Sequence, residues 1–191
     1  MKILFIHGLA SSGTYKMATS LRLLLKDTEV IAPDVPIRLQ DAINLLEDIC
    51  LRENPGLTIG LSWGGFLAQK LRGRRKMLIN PDLGISRMLR TKIGEQKYLS
   101  PRKNGEKTFT ITEGICNEYA EAEISQYASL TQEEVSMTTG IFALNDELVH
   151  CGPEFELHYP GQAHYYPGGH LPNYPEIKKH ILPILRKEMD R

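Results

Sequence analysis

The sequence is poor in the residues that staple small folds. Its three cysteines, Cys50, Cys116 and Cys151, are scattered over 191 residues. They are odd in number and form no C-x-x-C pair, which argues against a disulfide framework and against a zinc site. Three reduced thiols are the expectation, and with them a cytoplasmic protein. Excess charge is missing as well: 23 basic and 23 acidic residues give a formal net charge of zero, so the field that draws a chain to nucleic acid is absent. Long apolar runs are lacking too. The amino terminus offers only ILFI before His7, too short for a signal-peptide core, and no stretch reaches the length of a membrane span. What remains is an expectation of one domain over residues 1–191, long enough to bury about 70% of its unfolded surface, with a small molecule as partner.

What the chain does have is alternation. Short apolar, β-branched runs are separated by segments with helical spacing, the pattern of βαβ units in a parallel sheet. KILFIHG opens as a strand, and a helix is expected from about Thr14 to Lys26. The strand EVIAPDV follows, then a helix from about Leu39 to Glu53 with Ile43, Leu46, Ile49 and Cys50 on one face. LTIGLS and KMLIN read as the next strands, with a helix to about Arg72 between them. GIFALN and FELHYP read as the last two. A terminal helix places Ile177, Ile181, Ile184 and Leu185 on one face, and Pro183 is expected to kink or break it. More than fifty residues separate the fourth and fifth strands, far beyond an ordinary connection. This excess, about residues 84–137, is expected to be a helical lid. Its first part, residues 84–107, carries seven Lys or Arg against two Glu; residues 108–134 carry six Glu and no Lys or Arg. Either the halves pair with each other and with solvent, the commoner use of charge runs, or the basic residues Arg87, Arg90, Lys92, Lys97, Arg102, Lys103 and Lys107 meet an acidic substrate.

The most informative stretch is GLSWGGFLAQKL at residues 60–71. It sets a serine among glycines where a strand hands over to a helix. Lacking Cβ atoms, Gly60 and Gly64 permit close backbone approach, while Ser62 takes the strained turn that lifts its hydroxyl from the sheet. That is the G-x-S-x-G elbow, and its place between strand and helix gives it more weight than the bare pattern has. GLASSGT, residues 8–14, also puts G-x-x-x-x-G between a strand and a helix. The Lys-Ser or Lys-Thr of a phosphate-binding loop is replaced by Thr14-Tyr15, which argues against nucleotide binding.

A nucleophilic serine needs a base, a group that orients the base, and donors for an oxyanion. Catalytic residues collect just beyond the carboxyl ends of strands. Asp146 follows GIFALN, and His170 follows the last strand in a Gly-Gly-His loop. The order Ser62, Asp146, His170 is that of α/β-hydrolases. Asp82, Glu147, His150, His158 and His164 are the rivals, and position favours Asp146 and His170. The oxyanion donors are expected to be the backbone N–H groups of Trp63, after the nucleophile, and Leu9, in IHGLASSG. His7 is expected to fix that loop, and Ser11 and Ser12 either to line the pocket or to cap the next helix, the commoner use.

With IHG, GLSWGG, NDELV and GGH in this order, the chain resembles the α/β-hydrolase superfamily over its whole length. More closely it is similar to the small bacterial YqiA/YcfP-type esterases, through His7 to Ser12 and Gly60 to Gly65. The resemblance implies an α/β-hydrolase fold with helices on both faces; because the first strand already carries the oxyanion loop, the two leading antiparallel strands of larger members are expected to be absent, leaving about six mainly parallel strands in the order 2-1-3-4-5-6. It also implies cleavage of small acyl esters or thioesters with no metal and no organic cofactor, and supports Ser62, Asp146 and His170 as the triad. The alternative is a noncatalytic protein of the same fold that keeps the pocket for a ligand or partner.

Overall fold

The computed structural model describes residues 1–191. Its centre is a parallel sheet of six strands: β1 (Lys2–Ile6), β2 (Glu29–Ile31), β3 (Leu57–Leu61), β4 (Lys76–Ile79), and further on β7 (Thr138–Ala143) and β8 (Ala163–Tyr166). Their spatial order is β2-β1-β3-β4-β7-β8, with every neighbouring pair parallel. Counting only these strands, this is the expected order 2-1-3-4-5-6. Parallel strands are covered on both faces, so both side-chain sets of a strand are apolar. Ile3 and Phe5 of β1 join one core and Leu4 and Ile6 the other.

The first core is closed by α1 (Lys16–Leu24) and by the C-terminal helical run, through Met17, Leu21, Ile177, Ile181 and Leu185. The second is closed by α2 (Leu39–Glu53) and α3 (Trp63–Lys70), through Leu46, Ile49, Phe66 and Leu67. The C-terminal run consists of α8 (Tyr174–Glu176), a π-helical turn (Ile177–Ile181) and α9 (Leu182–Met189). Pro183 was expected to kink or break the helix. Instead the turn just before it widens, the N–H of Leu182 reaching back to the Ile177 carbonyl, and the chain continues helical past a residue that has no N–H to donate.

Two expectations need correction. FELHYP is no strand: residues Gly152–His158 form helix α7, with Pro153 in its first turn, and the last strand is AHYY, β8. Phe155 and Tyr159, four apart, are both buried on the face α7 turns inward, and proline suits a helix start because the first-turn N–H groups need no partner within the helix. The segment expected as a helical lid is helical only in part. It contains α4 (Ile85–Arg90), an antiparallel ribbon of β5 (Gly94–Lys97) and β6 (Thr108–Ile111), then α5 (Glu113–Ile124) and α6 (Gln132–Ser136). Its charged halves do not pair with each other. Glu118 meets Arg38 at 3.0 Å, Glu134 meets Lys76 at 2.9 Å, and Arg90 donates to Asn117. No helix is long and apolar enough to cross a membrane.

Candidate active site

Residues 60–65 make the turn from β3 into α3. Ser62 has φ 55° and ψ −119°, a conformation an L-residue holds only when its surroundings impose it. The surroundings are tight. A Cβ on Gly60 would collide with the Gly64 backbone, and one on Gly64 with the carbonyls of Ile6 and His7. Both glycines are therefore required where β1, β3 and α3 meet, and Ser62 is left at the carboxyl edge of the sheet.

His170 lies beyond β8, and its ring reaches Ser62: Nε2 is 2.8 Å from the serine Oγ. Its other nitrogen, Nδ1, is 2.8 Å from Asp146 Oδ2. With Asp146 ionised, the consistent tautomer has Nδ1–H donating to the carboxylate and Nε2 accepting from the hydroxyl. The second carboxylate oxygen accepts the N–H groups of Leu148 and Val149, at 2.9 and 2.8 Å, which fixes the acid in its loop. All three side chains are buried. The rivals lie elsewhere. His150, His164 and Glu147 are exposed, and His158 stacks on Tyr127. Asp82 is buried but bonds the Gly84 N–H, and burial raises its carboxyl pKa.

In front of Ser62 is a pocket of about 260 Å³, lined mainly by apolar residues such as Leu9, Met88, Phe109 and Leu171. Neither the Leu9 nor the Trp63 N–H donates to a protein acceptor. His7 packs under this loop, its Nε2 accepting the Val35 N–H at 3.0 Å and its Nδ1 lying 2.8 Å from the Gly8 carbonyl. Burial, with Arg102 adding to it and the Gly8 carbonyl opposing, lowers its pKa to about 4. Ser11 and Ser12 do not cap the helix. α1 starts at Lys16 after Tyr15 with no side-chain cap, and Ser11 lines the pocket.

Three supporting roles were not legible in the sequence. Asn80, at φ 43° just after β4, donates to the His170 carbonyl at 2.8 Å and accepts the Ala143 N–H at 2.7 Å. It thereby ties the histidine loop to the strand that leads to Asp146. Tyr119 of α5 accepts the Trp63 indole N–H at 2.8 Å and donates to the Ile37 carbonyl. Arg102 reaches the loop before α1 from the far end of the ribbon. Their bonds span 56 to 91 residues of sequence, and none has a local pattern. Only the left-handed turn at Asn80-Pro81 was open to notice.

Solved structures share the architecture. Mouse alpha/beta hydrolase domain-containing protein 10 aligns with a TM-score of 0.61 at 15% identity, covering 99% of this chain and 88% of that one. A pyrethroid hydrolase from Sphingobium faniae JZ-2 aligns at 0.61 and 17%, covering 100% and 97%. Est1E from Butyrivibrio proteoclasticus aligns at 0.60 and 14%, covering 100% and 88%. At such identities these likenesses establish the α/β-hydrolase fold and nothing finer. Among curated protein sequences nothing matches. The model of the uncharacterised protein family UPF0227 matches residues 2–136, which include the elbow and the loop after β1, and the chain belongs to that family.

Proposed function

We propose that the protein is a serine hydrolase that cleaves small acyl esters or thioesters through an acyl-enzyme on Ser62. One observation carries the reading: a serine on a strained strand-to-helix turn stands 2.8 Å from an imidazole, itself 2.8 Å from a buried carboxylate, and faces an apolar pocket. In acylation, Ser62 Oγ attacks the ester carbonyl while His170 Nε2 takes the hydroxyl proton. Asp146 holds the ring and stabilises the imidazolium. The oxyanion accepts from Leu9 N–H and Trp63 N–H, two donors that no protein acceptor occupies. Collapse of the tetrahedral species breaks the bond to the alcohol or thiol, which leaves with the proton from His170. Water then repeats the sequence and frees the acid. Relatives in fold whose names record a hydrolase support the hydrolase part of this reading.

For the substrate, two cations support an anionic group. Lys92 and Lys97 line the pocket, no carboxylate does, and neither ammonium is paired within the protein. Arg87 opens onto a neighbouring cleft and Arg90 is engaged by Asn117, so these two lysines are the part of the basic segment that a negatively charged ester or a coenzyme A thioester would meet.

The test is labelling with a fluorophosphonate and peptide mass analysis, beside Ser62→Ala and His170→Ala. The expected result is an adduct on Ser62 that requires His170, with Ser62→Ala folded and without ester turnover. A folded wild-type protein that takes no label and turns over no ester would overturn the reading in favour of a noncatalytic binding protein.

A further inference from the structure

The loop that carries Leu9 is not self-supporting. Ala10 has φ 58°, an uncommon conformation for a residue with a Cβ and one that needs external restraint. From below, His7 and Asp34 restrain the loop, the latter accepting the Gly13 N–H on Oδ1 at 2.7 Å. From above, the restraint comes from residues 99–103, which follow β5. Leu99 N–H donates to the Ala10 carbonyl at 2.7 Å. Arg102 Nη1 donates to the Ser11 carbonyl at 3.4 Å and to the Val35 carbonyl at 3.1 Å. Thr14 Oγ1 donates to the Pro101 carbonyl at 3.0 Å, and Lys103 N–H to the other Asp34 oxygen at 2.6 Å.

We propose that residues 99–103 form a strap that sets the oxyanion loop, and that Arg102 is its positioning residue, holding the Ser11 and Val35 carbonyls so that Leu9 N–H aims at the developing charge. The inference rests on the serine hydrolase reading above. Arg102 is buried although charged, with its guanidinium 4.4 Å from the centre of the Tyr98 ring and its Nε unpartnered. A buried cation with one idle N–H is a costly way to fill space. It bridges the two loops, one after β1 and one after β2, whose relative position decides where the Leu9 amide lies. Oxyanion donors act within a window only about 0.4 Å wide, and misplacement of reacting groups by about 1 Å costs roughly a hundredfold in rate. The ribbon is accordingly a fixed wall of the site rather than a lid that swings with each turnover.

The experiment compares wild type, Arg102→Met, Arg102→Lys and the exposed ribbon control Lys107→Met. Each is tested on one ester and with a trifluoromethyl ketone inhibitor, whose serine adduct places an oxyanion in the hole. For Arg102→Met the expected result is kcat lower by about ten- to a hundredfold, KM within about threefold, and inhibitor affinity reduced in parallel with kcat/KM. Arg102→Lys keeps a cation that reaches one carbonyl and should recover part of both losses, while Lys107→Met matches wild type. If Arg102→Met does not fold, Arg102→Lys carries the test, with a fall of about three- to tenfold that still lies in kcat. A folded Arg102 variant with normal kcat, or with inhibitor affinity unchanged, overturns the strap. An inactive wild type would instead remove the hydrolase reading on which it rests.

Discussion

Acid should loosen this protein through His7, and the size of the effect follows from where the ring sits. His7 is buried, its Nε2 lone pair is occupied by the Val35 N–H, and its pKa lies at about 4 against an ordinary value of about 6.5. The native state therefore binds fewer protons than the unfolded chain between these values, so stability is full above about pH 6.5 and is lost as pH falls towards 4. Integrating this single titration gives a loss of about 2 kcal/mol at pH 5 and about 3 kcal/mol at pH 4. The figure at pH 5 depends mainly on the unfolded value, since the native ring is still mostly neutral there. The perturbation is His7→Gln, whose carbonyl offers an acceptor near the position of Nε2 and does not titrate. Urea unfolding of both proteins at pH 7.5 and pH 5 checks it. Wild type should lose about 2 kcal/mol more than the variant across that interval, so that the two converge in acid. Parallel losses would refute the argument, for they would mean that the buried ring is charged or that the site takes up water without cost.

Two other perturbations have defined outcomes. Glu134→Gln strands the Lys76 ammonium, which is 1% exposed and bonded to that carboxylate at 2.9 Å. Stability should fall by about 3–5 kcal/mol, and the melting temperature by about 10 °C. Turnover at 20 °C should be unchanged, because this pair sits at the amino end of β4, opposite the serine; a melting temperature within 2 °C of wild type would contradict the pairing. Lys92→Gln with Lys97→Gln should raise KM for a butyryl-coenzyme A thioester by about five- to tenfold, and less at high salt, while 4-nitrophenyl butyrate changes less than twofold. Equal changes for both substrates would rule out an anionic recognition role.

The parts of the molecule that could be read from the sequence are those whose cause is local. The elbow is local in its pattern: Gly60 gives way to the Gly64 backbone four residues on and Ser62 takes the turn between them, although Gly64 itself makes room for the Ile6 and His7 carbonyls of β1. The buried strands β1, β3 and β4 are apolar on both faces, and α2 follows its periodicity from Leu39 to Glu53 as expected. Errors arose where two periods fit one short run. FELHYP alternates well enough for a strand, yet Pro153 and the spacing of Phe155 and Tyr159 make it a helix. The ribbon was missed because GEQK is polar and half exposed, and TFTI pairs with it only through a loop of ten residues. The basic side chains were left unassigned for a related reason. Which of seven basic side chains face Ser62 is decided by the path of the ribbon, and that path is set by Asp34 and Ala10, more than sixty residues away.

The backbone itself marks the same edge of the sheet. Four residues other than glycine have positive φ: Ala10, Asn54, Ser62 and Asn80. Asn54 closes α2 in the left-handed conformation that ends many helices. The other three follow β1, β3 and β4, three adjacent strands, all at their carboxyl ends. Each such residue costs on the order of 1 kcal/mol or more and persists only where its surroundings over-determine it. Here those surroundings are identifiable: the Leu99 N–H on the Ala10 carbonyl, the glycine contacts around Ser62, and the three-way bonding of the Asn80 amide. A fold under no demand at this edge would set glycine in such turns, as it does with Gly73 before β4. Strain held at three neighbouring strand ends, with the imidazole of His170 between them and the pocket open above, is what preorganised transition-state stabilisation requires of a scaffold.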